Sequence, residues 1–277
     1  MKALDVGLGA RQNLRGRGVV VATYRKAAYL RHDAGLVALT SPDSPPGPIH
    51  LRCPVLPRIP VGMEVEAADA LLIAGGWRID LDAPTWSSVL PAAADLRAGT
   101  GAALAVLASV RPAMLLAGDV PAVWPDRAEV LRTGDLHRAA VVLGGRGPGL
   151  TPAGDDVLAG LLLVAFSLGH GGLTSAAAAA RTNGIAASYL HWAARGHSIA
   201  PAHDLLDAVA GRDAGRIRSA LARLRRVGAS SGSDLAYGIS LGLRHLACGS
   251  GQEPVETQIA RAGLAPGLVQ RRGCSVR

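Results

Sequence analysis

The apolar pattern of this chain changes period once, between about residues 82 and 95, and that change limits the folds open to it. From Gly18 to Asp82 the apolar residues come in short runs that alternate with polar ones: VVVATY, GLVALT, PIHLRC, MEVEA, ALLIAG and WRIDLD. In PIHLRC, alternation puts Ile49, Leu51 and Cys53 on one side and His50 and Arg52 on the other. In WRIDLD, Ile79 and Leu81 alternate with Arg78, Asp80 and Asp82. The segments HDAG, SPDSPPGP and AGG between the runs are turn formers, so an antiparallel β-sandwich or barrel-like half is expected.

Beyond residue 95 the period becomes helical. Ala- and Leu-rich stretches run at 99–110, 154–168, 174–195, 202–210, 213–227 and 232–247, which predicts an all-helical half. In DAGRIRSALARLRRVG, Ile217, Leu221 and Leu224 share one face. Arg216, Arg223 and Arg226 lie off it on a solvated face, with Asp213 placed to cap the helix and Gly228 to end it. The expected fold class is therefore α+β, an N-terminal antiparallel β-sandwich or barrel-like half followed by an all-helical C-terminal half. The expected division is a β-rich region 1–95, a helical region 96–248 and a poorly ordered polar tail 249–277.

Composition excludes several functional classes. The chain has 277 residues, 49% hydrophobic and 18% charged, a globular rather than a disordered balance. The net charge of +8 is carried almost wholly by arginine, Lys2 and Lys26 being the only lysines. With aromatics at 3%, the arginines are not interleaved with the stacking residues that single-stranded nucleic acid needs, so no nucleic-acid partner is expected. Cys53, Cys248 and Cys274 lie far apart, which suits a reducing compartment rather than a disulfide framework or a structural zinc site. MKALDVGLGARQNLR lacks the apolar core of a signal peptide. The longest apolar run, VLAGLLLVAFSL at 157–168, is well short of the ~20 residues that span a bilayer. A cytoplasmic protein with no membrane partner is expected.

The most informative stretch is GGRGPGLTPAGDDVLAG, residues 144–160. GGRGPGL cannot be helix interior, because glycine costs about 1 kcal/mol and proline about 3 kcal/mol per position there. It reads as a loop after the apolar VVL of 141–143. At Thr151 the loop turns, Pro152 suits an early helical position, and Asp155 and Asp156 fall in the first turn, where they complement the helix dipole. A second stretch, ASSGSDLAYG at 229–238, echoes it. Laid under TPAGDDVLAG, it matches Gly154 with Gly232, Asp156 with Asp234 and Gly160 with Gly238. Within each copy the Asp and the last Gly share a helix face, and a glycine there lets two helices approach closely. The two helices are expected to pack with their N-termini side by side, bringing Asp156 and Asp234 into one site.

Backbone N–H groups at helix starts and a glycine nest favour an anion, whereas carboxylates in the same place repel one. Two resolutions stay open. A divalent cation, Mg²⁺ by its preference for oxygen ligands, bridges Asp155, Asp156 and Asp234; or the ligand carries amide N–H donors beside its anionic end, as carbamoyl phosphate and ureido acids do. Arg146, inside the loop, offers a fork for a carboxylate or phosphate. No cofactor beyond Mg²⁺ is suggested.

Other candidates read as structural. His197 and His203 in RGHSIAPAHD have a spacing that does not place two ligands on one helix face, and an exposed loop is expected. His191 and His245 lie on apolar helices. Ser230 and Ser231 are not set in a G-x-S-x-G elbow. Trp77, Trp86 and Trp124 suit a core or interface.

GRGPGLTPAGDDVLAG closely resembles the signature of the AllH-like family, catalogued as a domain of unknown function and associated with a subunit of oxamate carbamoyltransferase. The resemblance continues through TNGIAASYLHWAARG (182–196) and VGASSGSDLAYGISLGL (227–243). It is weaker but collinear in the β half, through AAYLRHDAGLVALT, GPIHLR and WRIDLDAPTW. The resemblance implies carbamoyl transfer between oxalurate and phosphate, giving oxamate and carbamoyl phosphate in purine or allantoin breakdown, with other subunits as partners. It places the family's loop residues on Gly147, Gly149, Leu150, Thr151, Gly154, Asp155 and Asp156, its second motif on Ser231, Gly232 and Asp234, and a helix hydroxyl on Ser188. Arg146 and Tyr29 depart from the family's pattern, which favours an apolar residue and an asparagine there.

Three functional classes follow. The first is a carbamoyltransferase subunit with catalytic Asp155, Asp156 and Asp234, whose ligand is bound by Arg146, Gly147, Gly149, Thr151, Gly154, Ser188, Ser231 and Gly232. The second is a stand-alone Mg²⁺-dependent helical hydrolase with the three aspartates as metal ligands. The third is a non-catalytic subunit in which the motifs only pack helices and dock partners.

Overall fold

The computed structural model describes residues 1–110 and 135–247. Trp124, Cys248, Cys274 and the 249–277 tail fall outside these. Among the described residues, nine strands form one curled sheet: β1 (Asp5–Gly7), β2 (Gly16–Thr23), β3 (Ala27–His32), β4 (Gly35–Thr40), β5 (His50–Arg52), β6 (Glu64–Ala68), β7 (Leu71–Ala74), β8 (Trp77–Asp80) and β9 (Thr85–Trp86). Their order is β8-β7-β6-β2-β3-β4-β5-β1-β9. A short helix, α1 (Leu8–Asn13), follows β1.

The predicted antiparallel pairing holds for most neighbours, but β4 pairs with β5 and β1 with β9 in parallel. The reason is local. The segment between β4 and β5 contains Pro42, Pro45, Pro46 and Pro48, whose fixed φ and missing N–H groups rule out a tight hairpin. The chain crosses over instead and re-enters in the same direction. Residues 1–4 then link the two ends of the curl: Ala3 N–H donates to the Asp80 carbonyl of β8 at 2.9 Å, and Leu4 N–H to the Arg52 carbonyl of β5 at 2.8 Å. This leaves less unpaired strand edge open to other chains.

Both faces of the central strands are buried. In β4, Val37 and Leu39 enter the cluster enclosed by the curl, with Leu30, Leu51, Leu72 and Ile79. Leu36 and Ala38 face the other way, packing with Tyr29, Ile49, Ile185 and Trp192. His50 pairs with Ala38 across the ladder, so it too faces the helical half and is 6% exposed. Ile49, expected beside Leu51 and Cys53, precedes the strand and joins the helix-facing cluster instead.

The helical half comprises α2 (Ala93–Leu107), α3 (Leu136–Leu143), α4 (Ala153–Ser167), α5 (Leu173–Ala179), α6 (Gly184–Ala193), α7 (Ala200–Ala210), α8 (Ala214–Leu224) and α9 (Ser231–Gly242). A π-helical turn, Leu243–Ala247, continues α9. α4 is apolar nearly all round, and all but two of its residues are buried, as befits a central helix. Asp213 caps α8 by accepting from the N–H groups of Gly215 and Arg216. The apolar run at 141–143, read only as the lead-in to the glycine loop, is the last turn of α3. The run at 174–195, read as one helical stretch, is two helices. Asn183 starts α6 by accepting from Ile185 and Ala186 N–H, an N-cap that outweighs the flanking alanines' helix propensity. His203, expected in an exposed loop, lies within α7 and is 5% exposed. There it accepts from Ser198 N–H at 2.9 Å and meets Trp86 edge-on.

Candidate functional site

The site is built on a helix pair. The motif glycines of α4 and α9 meet reciprocally: a Cβ on Gly160 would lie 2.4 Å from the Leu235 carbonyl oxygen, and one on Gly238 2.0 Å from that of Val157. Gly242 rests on Val164 one turn further along, so the two helices run in the same direction. The motifs' first glycines are matched as well. A Cβ on Gly154 would lie 2.1 Å from the Leu143 carbonyl oxygen ending α3, and one on Gly232 1.9 Å from that of Leu224 ending α8. The helical half thus contains the same helix–turn–helix unit twice, α3–α4 and α8–α9, related by a local two-fold. Across that axis Thr151 Oγ1 and Ser231 Oγ are 2.9 Å apart. Running in parallel puts two positive helix ends together, and acidic residues in both first turns oppose that charge.

The three aspartates have different surroundings. Asp155 accepts from Gly145 N–H at 3.1 Å and from the Thr182 hydroxyl at 2.6 Å. Both its oxygens are therefore engaged in tying the glycine loop to the start of α6. Asp234 is fully buried. Asp156 senses the charge of Asp234, and its Oδ2 is buried without a hydrogen-bond partner. Burial pushes the Asp156 carboxyl well above the usual carboxylate range. The Ser231 hydroxyl opposes that shift, the Asp234 charge reinforces it, and the Thr151 hydroxyl and Asp155 act more weakly, in opposite directions. A buried carboxyl beside a second one holds its proton to higher pH than a solvated one does.

Asp156, Thr151 and Ser231 form part of the lining of a pocket of about 430 Å³ between the sheet and the helix pair. Its opposite wall comes from β3, β4, β5 and α6, as Tyr29, Thr40, His50 and Tyr189. His50 Nε2 lies 3.1 Å from the Tyr189 hydroxyl, and its Nδ1 2.8 Å from the Pro45 carbonyl oxygen. Burial raises the pKa of both phenols, Tyr29 and Tyr189. The Thr40 hydroxyl is buried without a partner. Lys26, Arg223 and Arg226 add positive charge; Lys26 pairs with Asp43 at 2.5 Å and Arg223 with Asp204 at 3.2 Å. Asp43 lines the pocket as well, so one side carries the Lys26–Asp43 ion pair with Arg223 and Arg226, and the other a carboxyl and hydroxyls. The pocket suits a small anion with a polar, hydrogen-bonding end.

The structure brings together only some of the sequence candidates. Thr151, Asp156 and Ser231 line the pocket, and Asp234 is buried and outside its lining. Arg146 is exposed and does not line the pocket. Gly147 and Gly149 have φ of 115° and 92°, conformations that favour glycine, and they too are absent from its lining. Gly154 and Gly232 are accounted for by close helix packing. Ser188 lines a separate, wider groove of about 1220 Å³, with His191, Trp192 and Arg195. Among the described residues no group of three or more His, Cys, Asp or Glu could hold a metal ion. With both Asp155 oxygens already bonded, the trio of aspartates does not form an oxygen cage that fits Mg²⁺.

Sequence reasoning missed His50, Tyr189 and Thr40 as pocket residues, read Arg223 and Arg226 as a solvated face, and noted Tyr29 only as a departure from the family's pattern. Strand alternation carried one signal, since it set His50 apart from its apolar neighbours. What that other side faces was not encoded locally.

No helix among the described residues is long and apolar enough to cross a membrane. No curated protein and no solved structure matches the chain significantly. A family model described as oxamate carbamoyltransferase subunit AllH matches residues 143–243, the segment holding both Gly–Asp motifs and Tyr189 and ending just past α9. The resemblance carried by GRGPGLTPAGDDVLAG is borne out, and over residues 143–243 the chain is similar to the AllH subunit of oxamate carbamoyltransferase.

Proposed function

We propose that this chain is a subunit of an oxamate carbamoyltransferase-type enzyme and that its pocket between the sheet and the paired helices takes the carbamoyl-bearing ligand. One observation carries the reading: within the family-matched segment, a carboxyl oxygen of Asp156 is buried, unpartnered and set in a pocket edged by arginines. Unpartnered buried polar atoms are costly, and a ligand group that fills this one removes the cost.

The chemistry follows from the reaction. An oxygen of phosphate forms a bond to the ureido carbon of oxalurate, the bond from that carbon to the internal nitrogen breaks, and the nitrogen leaves as oxamate after taking up a proton. A carboxyl held protonated beside that nitrogen is suited to supply the proton, as in other sites where burial raises a carboxyl pKa. Asp156 fills that role, and the proton it loses is replaced from the attacking phosphate. Arg223 and Arg226 face the anionic ends, and Thr151 and Ser231 hold the Asp156 carboxyl in place. This assigns charge stabilisation to the arginines of α8 and its C-terminal extension rather than to Arg146.

The alternative of a stand-alone Mg²⁺-dependent hydrolase has no support in the positions of the aspartates. The purely structural alternative accounts for the motif glycines, which pack helices, but not for the unpartnered Asp156 oxygen. The test is calorimetric titration of the purified chain with oxalurate, carbamoyl phosphate and phosphate, each with and without Mg²⁺. Binding of a carbamoyl ligand that is independent of Mg²⁺ and lost in Asp156→Asn is expected. Normal binding by that variant would count against the reading.

A further inference from the structure

Thr40 ends β4, and the sheet fixes it on both sides. It pairs with Ala27 of β3 and with Arg52 of β5, and its carbonyl accepts from Cys53 N–H at 3.0 Å. Ala38, two residues earlier, packs toward the helical half, and strand alternation puts the Thr40 side chain on that same side. There it lines the pocket. Thr40 is 3% exposed, and its hydroxyl has no hydrogen-bond partner. A hydroxyl both donates and accepts, and burying it unpaired costs stability. Valine has the same branched shape without that cost, so packing in a strand does not account for threonine here.

The charges that line the pocket indicate which ligand group meets this hydroxyl. Beside Thr40 they cancel: Lys26, which precedes the cross-strand partner Ala27, pairs with Asp43. The side formed by α8 and its C-terminal extension contributes Arg223 and Arg226, and Asp204, the partner of Arg223, is outside the lining. Positive charge is therefore in excess on the α8 side, which draws the anionic end of a ligand. The uncharged end, turned the other way, reaches Thr40.

We propose that Thr40 contacts the carbamoyl group of the ligand, so that the sheet, which lies outside the family-matched residues 143–243, supplies a specificity-determining contact to the site. The proposal rests on the reading of the pocket as a carbamoyl site. With Asp156 at the internal nitrogen, the carbamoyl group lies between the helix pair and β4. Its carbonyl oxygen accepts from the Thr40 hydroxyl, or its NH₂ donates to it, and either bond pairs the orphaned group. A ligand without an amide leaves the hydroxyl unpaired, and sites built on hydrogen bonds discriminate against such ligands.

The test is calorimetry on the full chain with oxalurate and carbamoyl phosphate, which carry a carbamoyl group, and with oxalate and phosphate, which carry none. Thr40→Val should weaken both carbamoyl ligands about tenfold and leave oxalate and phosphate within about twofold. Thr40→Ser keeps the hydroxyl and should hold the carbamoyl ligands within about threefold of the wild type. Without ligand, Thr40→Val should melt about 2–4 °C above the wild type, because an unpaired buried hydroxyl has been removed. Unchanged affinity of Thr40→Val for the carbamoyl ligands, an equal loss for all the ligands, or a lower melting temperature of the free variant would each overturn the proposal. If Asp156→Asn loses the carbamoyl ligands and Thr40→Val does not, the carbamoyl reading stands and the Thr40 contact alone fails. A wild type that binds oxalate or phosphate but neither carbamoyl ligand, or that binds nothing, sinks the carbamoyl reading and the Thr40 contact with it.

Discussion

Gly160 and Gly238 are each pressed against the backbone of the other's helix, Gly160 on the Leu235 carbonyl and Gly238 on that of Val157. The contact is reciprocal because the two residues hold equivalent places in a twice-used unit. It sets how closely α4 and α9 approach, and so how near Asp156 comes to Asp234.

Adding one methyl group at either glycine forces backbone against backbone. Gly160→Ala and Gly238→Ala are each expected to destabilise the chain by about 3 kcal/mol, the upper end of the usual overpacking range. Gly101 lies in α2, and a Cβ there meets nothing within 4 Å, so Gly101→Ala should stabilise by about 0.5–1 kcal/mol. Chemical denaturation of the three variants checks both signs. Wild-type stability in Gly160→Ala would contradict the close approach.

Asp156 imposes a pH dependence of known sign. Its folded carboxyl keeps a proton to higher pH than the unfolded one. The folded state therefore binds more protons across that window, and stability falls as pH rises from the ordinary carboxylate range to the raised pKa. Asp156→Asn removes the titration. Its melting temperature should exceed the wild type's above the window, match it more closely near pH 4, and vary less with pH between. Thermal melts across pH 4–9 measure this, and a variant less stable than the wild type at high pH would contradict it.

Asp155 acts as a clamp on the glycine loop. Asp155→Ala leaves the Gly145 N–H and the Thr182 hydroxyl unpaired, at a cost of about 1–3 kcal/mol. Hydrogen exchange at residues 144–150 should accelerate at the same time. Thr182→Val, which removes one of the two bonds, should show a smaller effect in the same direction. A stable Asp155→Ala variant with an unchanged loop would argue instead for a role in chemistry.

His203 makes the chain sensitive to acid. Burial lowers its pKa from 6.5 to about 4, with the neighbouring His197 charge adding to the effect. The unfolded chain takes up the proton first as pH falls through 6.5, so stability is lost between pH 6.5 and about 4, by about 3 kcal/mol at 1.36 kcal/mol per pH unit. His203→Gln keeps an acceptor for Ser198 N–H without titrating, and its stability should be flatter over that range. Melts at pH 4.5 and 7.5 suffice to compare the slopes.

Much of the helix pairing was legible in the sequence. The repeat of Gly-x-Asp-x-x-x-Gly in 154–160 and 232–238 is a local pattern with a geometric consequence: it puts a carboxylate and a gap on one helix face, and two such faces fit one another. The switch of hydrophobic period likewise separated sheet from helices, because a strand and a helix bury different residue spacings. Capping at Asp213 was readable for the same reason, since a cap bonds only to residues two or three places away.

The pocket was not legible, because its walls come from segments far apart in the chain. His50 and Tyr189 are 139 residues apart, and neither position carries a local pattern that points to the other. Pro45 sits in a turn-forming segment whose carbonyl meets the His50 ring only once the crossover to β5 is made. Asp155 and Asp156 show the same division of information. Adjacent in sequence and alike in residue type, they point in different directions from the first turn of α4. One is bonded to Gly145 and Thr182, and the other faces the pocket. The sequence by itself determined which segments become strands and helices, and that two helices share a motif, because those are short-range properties of residue spacing. Tertiary structure alone decided which carboxyl oxygen is left without a partner and which side chains share the pocket, because burial and hydrogen bonding depend on what the rest of the chain brings alongside.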